Sequence, residues 1–398
     1  MTKVELLAPA GDLERLKIAI LYGADAIFCG GKMFSLRAKA NNFSLEDLKE
    51  AVIFANNHGS KIHVTVNIVP EDDDMAKLDE YLLSLDRIGV HAIIVSSIYI
   101  MERARDLGCK FEVHVSTQQS ISNSLAAKFF EENLNVKRIV HARELSLNDI
   151  QDLKNNTKAD IETFIHGGMC SSFSGRCTLS NYMVNRDANK GGCAHSCRWL
   201  YTLYNNQKLV SDKSFIIASC DLEALKYIPK LMQIGVNSFK IEGRMKSAHY
   251  IATIVSVYRK IIDKYATDGH VSTKDIKQYE KEIQRAENRI TYTGFLTNNV
   301  KNEALLPTIG KENPLQSYLA YSLTESEQKN NVLVETKNYF EVNDLVECLM
   351  PNGKIIKAKI LKIYDKNSKS IKVSNHPMDI LKLKLSKMVL ANSFIRKR

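Results

Sequence analysis

The sequence has no apolar run long enough to span a bilayer. Its first residues, MTKVELLAPAGD, lead straight into a strand-like segment with no signal-peptide core. Neither a membrane-embedded nor an exported protein is expected, and the cytoplasm is the expected compartment. Disulfides are disfavoured there, so clustered cysteines point to metal binding or catalysis. The sequence also has no G-x-S-x-G, no H-E-x-x-H, no Walker A loop, and no G-x-G-x-x-G after its first strand-like run. The cheapest arguments for hydrolase or dinucleotide chemistry are therefore absent. Tryptophan occurs once, as Trp199.

What the sequence does contain is an ordinary folded composition, 44% hydrophobic and 25% charged. At 398 residues it exceeds what one hydrophobic core usually serves, so two domains are expected. The net charge of +10 permits nucleic-acid binding, and a solvated basic surface explains it equally well.

Short apolar runs alternate with amphipathic stretches through residue 268. Eight strand-like runs (VELLA, AIFCG, KIHVTVN, AIIVS, FEVHVS, KRIVH, IETFIH and SFKIEG) alternate with eight helical patterns. The helical patterns include Leu45–His58, Leu147–Lys154 and Leu222–Ile234. Ser44 with Asp47, and Ser146 with Asp149, have the spacing of capping boxes. This predicts an α/β fold, a (β/α)8 TIM-like barrel over 1–268, with an open doubly wound sheet as the alternative. The seventh repeat carries a cysteine-rich insertion, 167–215, in which NNQ marks a hairpin. Residues 269–313 read as a helical linker, and 314–398 as a small antiparallel β-barrel. Lysines line the strands of that second domain, either protecting sheet edges or meeting RNA phosphates.

The insertion holds Cys170, Cys177, Cys193 and Cys197, spaced C-x6-C-x15-C-x3-C among glycines and arginines. Four thiolates on flexible chain suit one metal centre. The spacing lacks the paired C-x2-C knuckles of structural zinc sites and differs from the bacterial ferredoxin run, so iron–sulfur and zinc both stay open. Arg176, Arg186 and Arg198 would offset the charge of a thiolate-ligated centre. Cys220 and Cys29 are alternative ligands for the fourth position, whereas Cys109 and Cys348 read as small buried hydrophobes. In a barrel the loops after strands form the working rim, so the insertion is expected there. Asn67, His114, Ser116, Gln118, Asn123, His141, Arg143, Glu144 and His166 fall at or just after strand ends. Lys240 and Glu242 share a strand face just before Arg244, and a structural Lys–Glu ion pair is one reading of them. Arginines converging on one rim suit a substrate with carboxylates.

The run Glu162-x-Phe164-x-x-Gly167-x-Met169-Cys170-x4-Gly175-x-Cys177-x-Leu179-Ser180 resembles the signature of the collagenase-like peptidase family of unassigned catalytic type. ELLAPAG, GADAIFCG, STQ, ARELSL, RDANKGGCAHSCRWLY and FKIEGRMKS extend the resemblance across the barrel. One departure is Gly168, where the family usually has Ser or Ala. The arrangement resembles the branch of prephenate-dependent tRNA uridine hydroxylases. That resemblance implies 5-hydroxyuridine formation at the wobble position, with prephenate or a derivative as cosubstrate. It also implies a [4Fe–4S] cluster on Cys170, Cys177, Cys193 and Cys197, and a tRNA anticodon stem-loop as partner. Arg143, Glu242, Arg244 and His166 are the expected catalytic or substrate-contacting residues. The competing readings are a peptidase, hydroxylation of another RNA or of a small aromatic substrate, and a non-catalytic partner of a paralogous family member.

Overall fold

Apolar runs too short for helices alternate with capped helices, and the backbone follows that punctuation. The computed structural model describes residues 3–36, 42–210, 214–286, 289–298, 300, 302–306, 317–326 and 330–398. The barrel begins with β1 (Glu5–Pro9), α1 (Leu13–Leu21), β2 (Ala26–Gly30), α2 (Leu45–Asn57), β3 (Lys61–Val66) and α3 (Leu78–Ile88). It continues with β4 (Ala92–Val95), α4 (Ile98–Asp106), β5 (Glu112–Val115), α5 (Ser124–Leu134), β6 (Arg138–Val140), α6 (Leu147–Asn155) and β7 (Asp160–Gly167). Ser44 and Ser146 form the expected capping boxes. The insertion contributes α7 (Leu179–Val184) and a hairpin of β8 (Tyr204–Asn205) and β9 (Lys208–Leu209) at the expected NNQ turn. After it come β10 (Asp221–Glu223), α8 (Ile228–Ile234), β11 (Ser238–Ile241), α9 (Ala248–Asp268), α10 (Thr273–Ile283) and β12 (Thr291–Tyr292).

Strands β1 to β7 and β11 are parallel and adjacent in sequence order. β11 pairs with both β7 and β1, which closes the eight-stranded barrel and excludes the open sheet. The expected helix Leu222–Ile234 is a correction: its first residues form β10, antiparallel to the end of β7, with Leu222 opposite Gly167. β7 outruns its neighbours, and the chain returning from the insertion satisfies that exposed edge before α8 begins. The stretch read as a linker forms α10 and then returns to the barrel. β12 pairs with β10, and Ser219 bridges to Leu305.

The barrel interior is charged where branched apolar layers are usual. Glu5 and Arg138 stand on strands separated by two others, so they meet only by pointing inward. Their Oε1–Nη1 distance is 2.5 Å. Arg138 also bonds Glu162 (3.0 Å), whose other oxygen accepts from Lys240 at 2.7 Å. The sequence reading paired Lys240 with Glu242, and the structure corrects it: the carboxylate that Lys240 meets is Glu162, on the neighbouring strand. Burial favours the neutral form of Glu162, but Lys240 and Arg138 outweigh it and hold the carboxyl well below the usual range. Beside them His63 and His114 pack edge-to-face at 4.9 Å, and burial lowers the pKa of both.

The C-terminal domain comprises β13 (Tyr318–Ser322), β14 (Asn331–Thr336), β15 (Phe340–Glu341), β16 (Leu345–Leu349), β17 (Ile355–Tyr364), β18 (Ser370–Ile371), β19 (Val373–Ser374), β20 (Ile380–Leu385) and β21 (Phe394–Lys397). Six of these close an antiparallel barrel in the order β16-β21-β13-β14-β20-β17. The expected boundary at 314 and residues 211–213 of the insertion lie outside the described residues. Lysines 362, 382 and 384 sit on β17 and β20, each of which is paired on both sides. Edge protection therefore does not account for them. The two barrels share packing: Tyr22 places its hydroxyl between the carbonyls of Leu349 and Asn392, and His249 stacks on Tyr318 at 4.9 Å. Fully buried Arg396 bonds Glu282 at 2.5 Å.

Glu162→Gln leaves two buried cations without their shared carboxylate. It is expected to cost about 3–5 kcal/mol of unfolding free energy by urea denaturation. Lys240→Met added to it should recover part of that loss. The folded-state pKa of Glu162 lies below its ordinary value of 4.5. Its contribution is therefore complete above that pH and is lost as pH falls toward the folded-state pKa. The difference between wild type and variant should shrink on acidification, and a constant difference would exclude the ion pair as its source.

Candidate functional site

A bulge at the end of β7 decides what reaches the rim. Lys240 pairs with Phe164 but Ile241 pairs with His166, so Ile165 is an extra residue in β7. Simple alternation would put 162, 164 and 166 on one face. The bulge instead turns His166 outward against α9, where its ring meets Tyr250 (6.0 Å) and Tyr258 (5.5 Å). His166 is buried in the strand–helix layer, apart from the interior charges. Gly167 follows with φ +104°, and a Cβ there would lie 2.3 Å from the Glu242 carbonyl oxygen. That close approach starts the insertion directly over the barrel.

The insertion is tied down by the loops it crosses. Glu144, after β6, accepts from both the backbone N–H and the hydroxyl of Ser174 (2.6 and 2.7 Å). Lys190 bridges Glu71 and Asp74 at 3.0 and 2.9 Å, and Val69 N–H donates to the Asn189 carbonyl. Inside the loop, the Asn189 side chain brackets the Cys177 backbone, accepting from its N–H (3.4 Å) and donating to its carbonyl (3.2 Å). Leu179 N–H points at Cys177 Sγ, 3.4 Å away.

Cys170 is exposed, while Cys177, Cys193 and Cys197 are half-buried, and none forms a disulfide. Burial pushes the Cys197 thiol up and Arg198 pulls it down. Cys170, Cys193 and Cys177 each add to the upward shift of Cys197. Arg198 in turn feels Arg289, Cys197, Asp221 and Cys170. Among the described residues no three His, Cys, Asp or Glu side chains already stand in a ligating arrangement. Cys220 is buried, with its thiol donating to the Glu303 carbonyl at 3.4 Å. Cys29 sits in the main core beside Tyr81 rather than on the rim, and burial pushes it up to about 12. Alternation explains this, since its neighbour Phe28 takes the inward position under Lys240.

The barrel mouth is cationic and layered. Arg143 lies 3.9 Å over the Phe164 ring and donates to the Gly168 carbonyl at 2.8 Å. Lys240 lies 5.5 Å from the same ring. Arg244 leaves the end of β11 and crosses the mouth to Ser35 (3.1 Å) and Thr65 (3.3 Å). A Cβ at Gly30 would stand 2.1 Å from Arg244 Nη1, so glycine is what lets the guanidinium pass. Gly168, the departure noted in the sequence, has room for a Cβ, whose nearest neighbour would be Asp221 Oδ1 at 3.9 Å. Glu242 N–H donates to the His166 carbonyl at the bulge.

Other sequence candidates hold structure. Asn123 caps α5, His141 lies between the Ala142 carbonyl and Thr163, and Asn67 accepts from Leu36 N–H. His114 and Ser116 are buried in and at the end of β5. Gln118 is buried, and neither end of its amide has a hydrogen-bond partner. Such a group costs about 1–3 kcal/mol if left unpaired. Sequence reasoning missed Asp221 and Arg289, which bond at 3.4 Å and both act electrostatically on Arg198. They come from segments beyond the motif, and no local spacing marks them.

The sequence matches the family model Peptidase family U32 over residues 11–305 and Peptidase family U32 C-terminal domain over 316–396. The chain belongs to peptidase family U32. Among its U32 relatives is tRNA hydroxylation protein P1 of Bacillus subtilis (strain 168), 40% identical over 99% of this chain and 95% of its own. tRNA hydroxylation protein P of Escherichia coli (strain K12) is 30% identical over 89% of this chain and 88% of its own. The 23S rRNA 5-hydroxycytidine C2501 synthase of the same bacterium is 39% identical over 66% of this chain, but that covers only 39% of the relative. Among the described residues no helix is long and apolar enough to cross a membrane.

The Glu144–Ser174 contact makes a test of how this U32 insertion is held. Glu144→Ala should speed amide exchange across 170–177 by roughly tenfold while exchange in β1 to β6 stays unchanged. Unchanged exchange in the loop would show that other contacts suffice.

Proposed function

We propose that this U32 protein is an RNA hydroxylase that converts the wobble uridine of tRNA to 5-hydroxyuridine. In this reading prephenate or a derivative is the cosubstrate, and Cys170, Cys177, Cys193 and Cys197 hold a [4Fe–4S] cluster. The observation that carries the reading is the 40% identity to the Bacillus subtilis tRNA hydroxylation protein, which runs through barrel, insertion and C-terminal domain alike. The chemistry of the donor set supports the cluster: one insertion supplies four thiols free of disulfides, and Arg198, next to Cys197, would offset thiolate charge. When bound, the cluster would supply electron transfer or a Lewis-acidic iron at the rim. In this reading Arg143, which lies over the Phe164 ring, and Arg244 bind the carboxylates of the cosubstrate, with Glu242 at the adjoining strand end.

The tRNA is read as the partner because of the +10 net charge and the closed C-terminal barrel. Lys362 faces Lys384 directly across β17 and β20, an arrangement that costs stability unless an anion lies over it. The cell interior is the expected compartment for such a substrate. A paralogous partner and a peptidase activity are the outcomes against which this reading is tested.

Mass spectrometry of tRNA nucleosides from a strain lacking the gene should show loss of 5-hydroxyuridine and its derivatives. Unchanged levels, with no paralogue able to substitute, would sink the proposal. Anaerobically purified protein should carry about four irons per chain. Cys170→Ala and Cys197→Ala should each lose most of the iron, whereas Cys220→Ala should keep it. A zinc-loaded, colourless wild type would overturn the cluster assignment.

A further inference from the structure

The rim carries a recess beside the cationic mouth. A cavity of about 640 Å³ lies over the ends of β3, β4 and β5, and none of Arg143, Phe164 or Arg244 lines it. Its size falls in the range of small-molecule sites. One wall is apolar, built from Val69, Met75, Ile98 and Tyr99. Tyr99 stands in the first turn of α4 and is 52% exposed, an uncovered aromatic surface in a concave site. Hydrogen-bonding groups come from Ser97 and Gln119.

Two charges complete the lining, Arg176 from the cysteine-bearing insertion and Asp72 from the loop after β3. They are of opposite sign, so the cavity is close to neutral overall. Arg176 bonds Gln119 Oε1 at 3.5 Å, and Gln119 Nε2 bonds the Ser96 carbonyl, so the insertion and the strand ends share this wall. A dicarboxylate would meet one cation and one carboxylate here, against two guanidinium groups at the mouth. A flat, uncharged ring with donors and acceptors on its edge meets a stacking surface, hydroxyl and amide partners, and one lining residue of each charge. The cavity and the mouth thus differ in the charge they present.

We propose that this cavity receives the target nucleoside, turned out of the RNA stack onto Tyr99, while the Arg143–Arg244 mouth holds the anionic cosubstrate. The proposal rests on the RNA-hydroxylase reading and adds where each substrate sits. Enzymes that act on a base take it out of the stack and hold it against aromatic or apolar side chains. Base–aromatic stacking is sequence-tolerant, so Gln119, Ser97 and Arg176 would supply the edge contacts that select the base.

The test uses the full-length, iron-loaded protein and an anticodon stem-loop carrying 4-thiouridine at the target position. Irradiation should crosslink the thiouridine to Tyr99 or its neighbours Ile98 and Met75, mapped by mass spectrometry. In steady-state assays Tyr99→Ala should raise the KM for the stem-loop roughly tenfold, with the KM for prephenate and the iron content unchanged. Tyr99→Phe, which keeps the ring, should behave as wild type. Crosslinks confined to the Arg143 mouth or to the C-terminal barrel would overturn the cavity assignment and leave the hydroxylase reading standing. So would an unchanged stem-loop KM in Tyr99→Ala. A wild type that neither binds nor hydroxylates the stem-loop would overturn both.

Discussion

Two cations sharing one carboxylate hold the seam of the barrel. Glu162 on β7 accepts from Lys240 on β11 and from Arg138 on β6, and Arg138 carries the chain of charge across the interior to Glu5 on β1. Each of these ions would cost several kcal/mol to bury alone. Together they are compensated only when β6, β7, β11 and β1 are in register. Those strands are also the ones that aim Arg143, the insertion and Arg244 at the mouth. The interaction that closes the fold therefore also sets the geometry of its rim.

The rim shows how a long irregular loop becomes a structured one. A 3-10 turn is bonded to Glu144, a lysine is held by two acidic residues, and an asparagine clamps both sides of Cys177. The return strand β10 pairs with the end of β7, and β12 pairs with β10 in turn. Cys177 and the loop around it are held by this scaffold of ordinary hydrogen bonds. The rim also carries the cationic groups of the mouth and a cavity lined by one residue of each charge.

Much of the architecture was legible beforehand. The eight strand-like runs, the capping boxes at Ser44 and Ser146, and the NNQ hairpin depend on periodicity and local turn chemistry, and each was found where it was expected. What went astray did so for identifiable reasons. Leu222–Glu223 reads as a helix start by its neighbours, but the free edge of β7 recruits it as a strand. His166 sits at a strand end that alternation assigns to the interior, and a single extra residue turns it outward. Cys29 is likewise one step out of phase with the inward face of β2.

The sequence by itself determined the order of elements, the placing of the cysteines in an insertion after the seventh strand, and membership of the family. These follow from local spacing, which a linear chain carries in full. Only the tertiary structure decided that Lys240 pairs with Glu162, that Asp221 pairs with Arg289, and that Arg176 and Asp72 line one cavity. Each of those contacts joins residues dozens to more than a hundred positions apart. Their separation in space is set by barrel closure and by the bulge in β7, and no local pattern encodes either.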